Sequence, residues 1–480
     1  MTFERAASAG IWSTIELVSR QGVSFLVVIF LARLLSPEDF GVFAFAALAI
    51  MLSAAVIGGG LSTLIVQRHD LQSADLNRIF SFALILSVIA ALSIAGLGPV
   101  LAAIYGFDDL SVLMPALALQ PVIVAMGLVQ SALLHKQLQF KLMAKVGWAS
   151  SLIGGGAAIC AAYAGWGIWA LVMQVMIAAL INSALIAKFS DWRPALTADL
   201  MPISPLLRFA GPVSVAQGLH ILYTQGFALI VGKQYSASDV GLFNRGFALT
   251  QLPNQLFTGL AGKIALPLFS ERADDPEALR RGMQRGLEGV MFFSTPAFVG
   301  VAVLAPELVE LLYGDQWERA APVVSILALA GILMPLQSAN GNLLLAKGMS
   351  KTFFRIELAK KSIGIALVVT ASFYGIEAVA WAYLAASMVW LFLNTRHTAS
   401  LIGFGLLDQL RHISGIILVS CIMGAVVLAY RQWTDMPLIA DIASSVALGV
   451  TTYTLIGFGL RMSSFRRAFA DAKALFAQPA

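Results

Sequence analysis

The sequence predicts an all-α polytopic membrane protein of about 14 transmembrane helices. They form two pseudo-symmetric six-helix lobes plus two extra C-terminal helices. Three observations predict it: a composition too apolar to clothe a water-facing surface, a succession of long apolar stretches, and a motif that returns 200 residues later.

Of the 480 residues, 59% are hydrophobic and only 12% charged, with a mean hydropathy of +0.83. A soluble domain carries about 25% charged residues, because its surface must meet water. A helix that crosses a bilayer needs about 20 mostly apolar residues. Stretches that meet this need are 11–32, 41–65, 79–104, 112–134, 146–164, 167–187, 209–232, 242–266, 286–305, 321–345, 357–374, 376–395, 412–430 and 440–460. They are too long and too continuous for barrel strands, which alternate over about ten residues. The first stretch has no short apolar core followed by an Ala-x-Ala cleavage site, so it reads as a retained helix.

The placement of positive charge sets orientation. With the N-terminus in the cytoplasm, only Arg33, Lys233, Arg319 and Arg431 fall in outer segments, so both termini are expected inside. The net charge of +5 expresses that bias and implies no nucleic-acid partner. Both cysteines, Cys160 and Cys421, lie in apolar stretches and read as small core residues. No metal or other cofactor is expected.

The repeat pairs LARLLSPEDFGVFAFA (31–46) with VGKQYSASDVGLFNRG (231–246). Arg33 answers to Lys233, Ser36 to Ser236, Asp39 to Asp239, Gly41 to Gly241 and Phe43 to Phe243. Part of this is helix-start chemistry that any two such units share: Ser36 as N-cap, Pro37 at the first helical position, Glu38 and Asp39 in the first turn. At the same offset Arg20 and Ser24 answer to His220 and Thr224. LLHKQLQFK (133–141) resembles LLAKGMSK (344–351) at an offset of 211. Six spans separate the copies, an even number, so the repeat is parallel, with a midplane site expected between lobes that rock. The expected organisation is 1–190 as N-terminal lobe, 191–208 as cytoplasmic linker, 209–396 as C-terminal lobe, 412–460 as the two extra helices and 461–480 as a basic cytoplasmic tail.

Ionisable groups inside spans are costly and mark functional sites by default. Glu16 and Arg20 share a face of the first helix with Ser13 and Ser24. This is either a self-neutralising pair or a polar stripe that offers Arg20 to an anion. Arg245 and Lys263 lie eighteen residues apart on the eighth span, which is five turns or about 27 Å along one face. Snorkelling to the nearest interface is the alternative for both. Arg20, Arg245 and Lys263 are therefore the candidate substrate-binding cations. Glu16, Gln217, His220, Gln225, Gln255 and Asn340 are the candidate cavity-lining polar groups, suited together to hydroxyl-rich cargo. Any one carboxamide could instead bond helix to helix. GLAGK (259–263) lacks the earlier glycine and the Ser/Thr of a phosphate-binding loop, and no catalytic constellation is present, so a non-enzyme is expected.

LARLLSPEDFG, LIVQRHDLQSADLNRIF (64–80), LPLFSERADDPEALRRG (266–282) and VLAPELVELLYGDQWERAAPVVSILALAG (303–331) together resemble Wzx-type lipid-linked oligosaccharide flippases, with the WzxC-like branch nearest. The resemblance runs over roughly residues 5–400 and implies the multidrug/oligosaccharidyl-lipid/polysaccharide exporter fold, two six-helix lobes about a cationic cavity. It implies a flippase that moves a polyprenyl-pyrophosphate-linked oligosaccharide across the bacterial inner membrane for polysaccharide export, by alternating access. Undecaprenyl pyrophosphate would carry the cargo. Membrane lipids, a coupling H+ or Na+, and polymerase and export proteins are the other partners it brings into view. Gly58 stands where family members often carry an acid, which weakens a coupling role there. The alternatives are a cation-coupled drug or metabolite antiporter of the same superfamily, which predicts acids facing the cavity, and a membrane glycosyltransferase or polymerase, which predicts larger loops.

Overall fold

The computed structural model describes residues 22–68, 70–199, 204–271, 275–434 and 436–460. Among the described residues there is no strand. The helices are α1 (Gly22–Leu34), α2 (Pro37–Gln67), α3 (Ser73–Tyr105), α4 (Leu110–Lys136), α5 (Phe140–Tyr163), α6 (Trp169–Phe189), α7 (Ser204–Gln225, extended by Phe227–Gln234), α8 (Ala237–Glu271), α9 (Pro276–Val303), the short α10 (Ala305–Tyr313), α11 (Asp315–Ala346), α12 (Ser350–Ala371), α13 (Ile376–Ile402), α14 (Leu406–Trp433) and α15 (Leu438–Gly459).

Each of the fourteen apolar stretches meets a helix. Among the described residues, eleven of these helices are long and apolar enough to cross a membrane; α1, α8 and α12 are the exceptions. The physical reason at α12 is plain. Its first twelve residues carry Lys351, Arg355, Glu357, Lys360 and Lys361, so its apolar half starts later than the sequence suggests. Glu357 and Lys360 pair at 2.5 Å, which lowers the cost of placing both in the helix.

The chain divides into two compact units, Met1–Gly241 and Leu242–Ala480. In the first, α3 packs on α4, α4 on α6, and α5 on α6. In the second, α9 packs on α11, α11 on α13, and α12 on α13. The same pairings thus recur in the same order, as a duplicated unit requires. The second unit then adds α14 against α9, and α15 against α14.

Backbone detail repeats as well. Ser36 Oγ lies 2.8 Å from Asp39 Oδ2 and accepts from Asp39 N at 3.2 Å, and Ser236 and Asp239 reproduce both distances. The turns before α5 and α12 are superposable in their angles. Leu138 has φ 57° and Gly348 φ 71°, and Gln139 and Met349 bond back to the carbonyls of Leu134 and Leu344 at 3.0 and 2.9 Å. These pairs lie 210 residues apart, so the register here is one residue shorter than the 211 that letter matching gives. Letter matching aligned Lys136 with Lys347, whereas the backbone aligns Leu138, the sole non-glycine positive φ among the described residues, with Gly348.

In the first unit the buried core gathers Ile57, Leu61, Leu64 and Ile65 of α2 with Ile79 of α3 and Val129 of α4. The segment after α6 is tied to the start of α3: Arg78 pairs with Asp199 at 2.9 Å and Asp75 at 3.1 Å, and Thr197 N donates to Ser81 Oγ at 2.9 Å.

Candidate functional site

In the second span Gly58, Gly59 and Gly60 follow one another. There α2 takes a π-helical turn over Ala55–Gly59. A π turn adds one residue to a helix turn and releases backbone groups, and such turns are frequent at functional sites. The released Gly60 N–H donates to Ser214 Oγ of α7 at 3.0 Å, across 154 residues of chain.

This bond works only because the glycines let α7 come close. A Cβ on Gly60 would stand 2.0 Å from the Ala210 carbonyl oxygen, and one on Gly59 would stand 2.5 Å from Gln217 Oε1. The Gln217 amide therefore lies over the bare Gly59 backbone. Gln217 and His220 are exposed, three residues apart on one face of α7, with Thr224 one turn further and half-buried. Gln225 is half-buried on the same helix. Ser24, the counterpart of Thr224, is exposed on α1. An uncovered polar face on a membrane-crossing helix has to meet water or a polar ligand.

Glu16 and Arg20 lie outside the described residues. The backbone of Lys263 belongs to α8, which runs unbroken through Pro253, but its side chain lies outside them too. The five-turn spacing from Arg245 therefore holds for the backbone. In the second unit, Arg245 is half-buried, and its guanidinium donates to Asn244 Oδ1 at 2.7 Å. It lies within electrostatic reach of the buried Tyr313 hydroxyl of α10. Gln255 is exposed and its neighbour Asn254 is buried.

Asn340 has no exposed surface at all, and its amide is fully engaged. Its Nδ2 donates to Leu336 O at 2.7 Å and Gln409 Oε1 at 3.0 Å, and its Oδ1 accepts from Thr398 Oγ1 at 2.6 Å and Gln409 Nε2 at 2.9 Å. Of the two roles open to this carboxamide, the structure places it in the interhelical one, joining α11, α13 and α14. It lines no open volume.

Two features escape a reading of single spans. One is the π turn, for which the only signal is the run of three glycines. The other is an ionic cluster at the far end of α14, where Arg431 pairs with the buried Glu307 of α10, donates to Val303 O at 2.9 Å, and lies 3.8 Å from Asp441 of α15. Charge placement alone assigns Arg431 to an outer segment; it sits in the last turn of α14.

Compared with known proteins, residues 30–322, more than half of the chain, match the family model described as "Polysaccharide biosynthesis protein". The lipopolysaccharide biosynthesis protein WzxC of Escherichia coli K12 is 24% identical over 76% of this chain and 75% of its own. The succinoglycan biosynthesis transport protein ExoT of Rhizobium meliloti is 26% identical over 68% of this chain and 66% of its own. Among solved structures, the lipid II flippase MurJ in an inward closed conformation superposes with a TM-score of 0.78, covering 94% of this chain and 99% of that one at 14% identity. An inward-facing MATE multidrug transporter of the MOP superfamily superposes at 0.61, covering 82% and 98% at 14% identity.

Proposed function

The chain belongs to the polysaccharide biosynthesis protein family, and we propose that it is a flippase that carries a lipid-linked oligosaccharide across the membrane for polysaccharide export. The observation that carries the reading is the family match over residues 30–322, on a chain whose fold is that of a lipid II flippase. The exposed Gln217 and His220 beside the π turn support it, since side chains with both donors and acceptors suit a hydroxyl-rich cargo.

In the finer version of this reading the lipid is undecaprenyl pyrophosphate and the membrane is the bacterial inner membrane, with both termini in the cytoplasm. The lobes are 1–190 and 209–396, and Arg20, Arg245 and Lys263 meet the pyrophosphate in turn. A head group that crosses hydrocarbon alone faces a desolvation cost of order tens of kcal/mol for an isolated ion. Fixed cations lower that barrier, provided no one of them holds the cargo so tightly that release fails. H+ or Na+ is the coupling ion of an ion-driven cycle, and the polymerase that consumes the flipped unit is the protein partner.

The fold shared with MATE transporters supports a second reading, a cation-coupled antiporter. It needs acids on the transport path. At Gly58, in the π turn, none is present.

The test is reconstitution. Proteoliposomes would hold a fluorescent polyprenyl-pyrophosphate oligosaccharide, and a membrane-impermeant reductant would bleach the outer leaflet alone. A flippase bleaches nearly the whole population where empty liposomes bleach about half. Bleaching no greater than in empty liposomes, with cationic drug accumulation under an imposed ion gradient, would overturn the reading in favour of the antiporter.

A further inference from the structure

The turn repeated before α5 and α12 carries a second likeness that the transport reading does not use. With the register of 210, Lys141 answers to Lys351 and Lys145 to Arg355. All four side chains are exposed. In each helix the two cations stand at i and i+4, one above the other on one face. The same face continues as apolar surface: Leu152 is 60% exposed on α5, and Leu358 and Ile365 are 56% and 47% exposed on α12. Phe354, 66% exposed, flanks the cations of α12.

The packing explains why these faces are open. Helix α5 rests mainly on α6, and α12 mainly on α13, so each turns its other side outward from its unit. For a helix in a membrane, an outward stripe that runs from cations to leucine and isoleucine passes from the head-group layer into hydrocarbon. No carboxylate pairs with Lys145, Lys351 or Arg355 among the described residues. Glu357, the nearest acid in sequence on α12, is engaged by Lys360.

We propose that Lys141 with Lys145, and Lys351 with Arg355, are two equivalent pads, one in each unit, that bind the head-group phosphates of anionic phospholipids. The occupant follows from charge complementarity joined to position, because the apolar continuation of each stripe seats the acyl chains of the lipid whose phosphate the cations hold. The proposal is independent of what the protein transports. Each Lys or Arg near an anionic surface strengthens association by roughly five-fold, so a pair gives roughly twenty-five-fold.

The probe is phosphatidylglycerol against phosphatidylcholine. Purified full-length protein is loaded with equimolar mixtures, and the lipids retained are counted by native mass spectrometry. Wild type should retain phosphatidylglycerol preferentially. K141A/K145A and K351A/R355A should each lose part of that preference, and the fourfold variant nearly all, at unchanged melting temperature. K141R/K145R should keep it, which separates charge from local packing. A fourfold variant that retains phosphatidylglycerol as wild type does would overturn the proposal. So would displacement of the lipid by inorganic phosphate at matched concentration, which would assign the cations to a free anion.

Discussion

Gly41 and Gly241 hold equivalent positions 200 residues apart in the sequence, and they pack against each other backbone to backbone. A Cβ on Gly41 would stand 1.7 Å from the Ala237 carbonyl oxygen, and a Cβ on Gly241 would stand 1.9 Å from the Pro37 carbonyl oxygen. Since Pro37 and Ala237 are themselves equivalent, the contact is reciprocal: each copy of the motif uses its glycine to admit the other's first helical turn. Small residues allow such close approach between membrane helices, where packing rather than hydrophobicity drives association. Gly41→Ala and Gly241→Ala should therefore each lower stability by about 1–3 kcal/mol, the range for overpacking a filled site. Gly96→Ala is the control, because its Cβ would meet nothing within 4 Å, and in a helix interior alanine gains about 1 kcal/mol over glycine. Thermal melting of the three purified variants should show two falls and no fall for Gly96→Ala.

The Asn340–Gln409–Thr398 network gives a second expectation. Asn340→Leu leaves the Gln409 amide and the Thr398 hydroxyl short of partners at sites with no exposure. An orphaned buried polar group costs about 1–3 kcal/mol. A double-mutant cycle of Asn340→Ala with Gln409→Ala should give a coupling of about 0.6–1.7 kcal/mol, the range found for polar pairs in membranes. Because Gln409 belongs to α14, the loss should also speed proteolysis at the 403–405 connection. Additive losses would mean that the two amides do not support each other.

These two cases show what the sequence tells and what it withholds. Helix positions and the duplication are legible because apolar length and the Ser-x-x-Asp caps are local signals. At 36–39 and 236–239 even the hydrogen-bond distances agree. The partner of Asn340 is not legible, since Gln409 lies 69 residues away and a carboxamide in an apolar span serves a cavity or a neighbouring helix equally well. Arg431 and Glu307 are 124 residues apart, and each looks like a loop charge when read alone. The π turn leaves only three glycines, a pattern that a straight helix also tolerates.

Arg431 supplies the third expectation. Its guanidinium neutralises Glu307, which is 8% exposed, and ties α14 to α10 and α15. Breaking a buried pair by removing one partner costs about 3–5 kcal/mol, because a charge is left uncompensated. Arg431→Ala should thus lower melting temperature and membrane abundance sharply. Arg431→Met with Glu307→Gln, which removes both charges, should recover most of the loss. If the double variant is no better than Arg431→Ala, the role of the arginine lies in its bond to the Val303 carbonyl instead.

The last expectation separates a structural glycine from a ligand contact at the π turn. A Cβ on Gly59 would stand 2.5 Å from Gln217 Oε1, the far end of a flexible side chain, so Gly59→Ala displaces the amide without forcing the helices apart. At Gly60 the obstacle is the Ala210 backbone at 2.0 Å, and there the helices themselves would have to move. Gly60→Ala should therefore reduce the folded protein, whereas Gly59→Ala should leave abundance and melting close to wild type. If Gln217 meets the cargo, Gly59→Ala and Gln217→Ala should lower lipid flipping by similar factors of about tenfold, the value of roughly 1.4 kcal/mol for a well-made hydrogen bond. The double variant should be no worse than either, because both changes remove the same contact. Multiplied losses would mean that Gly59 and Gln217 act separately, and normal flipping in Gln217→Ala would place this amide outside the transport path.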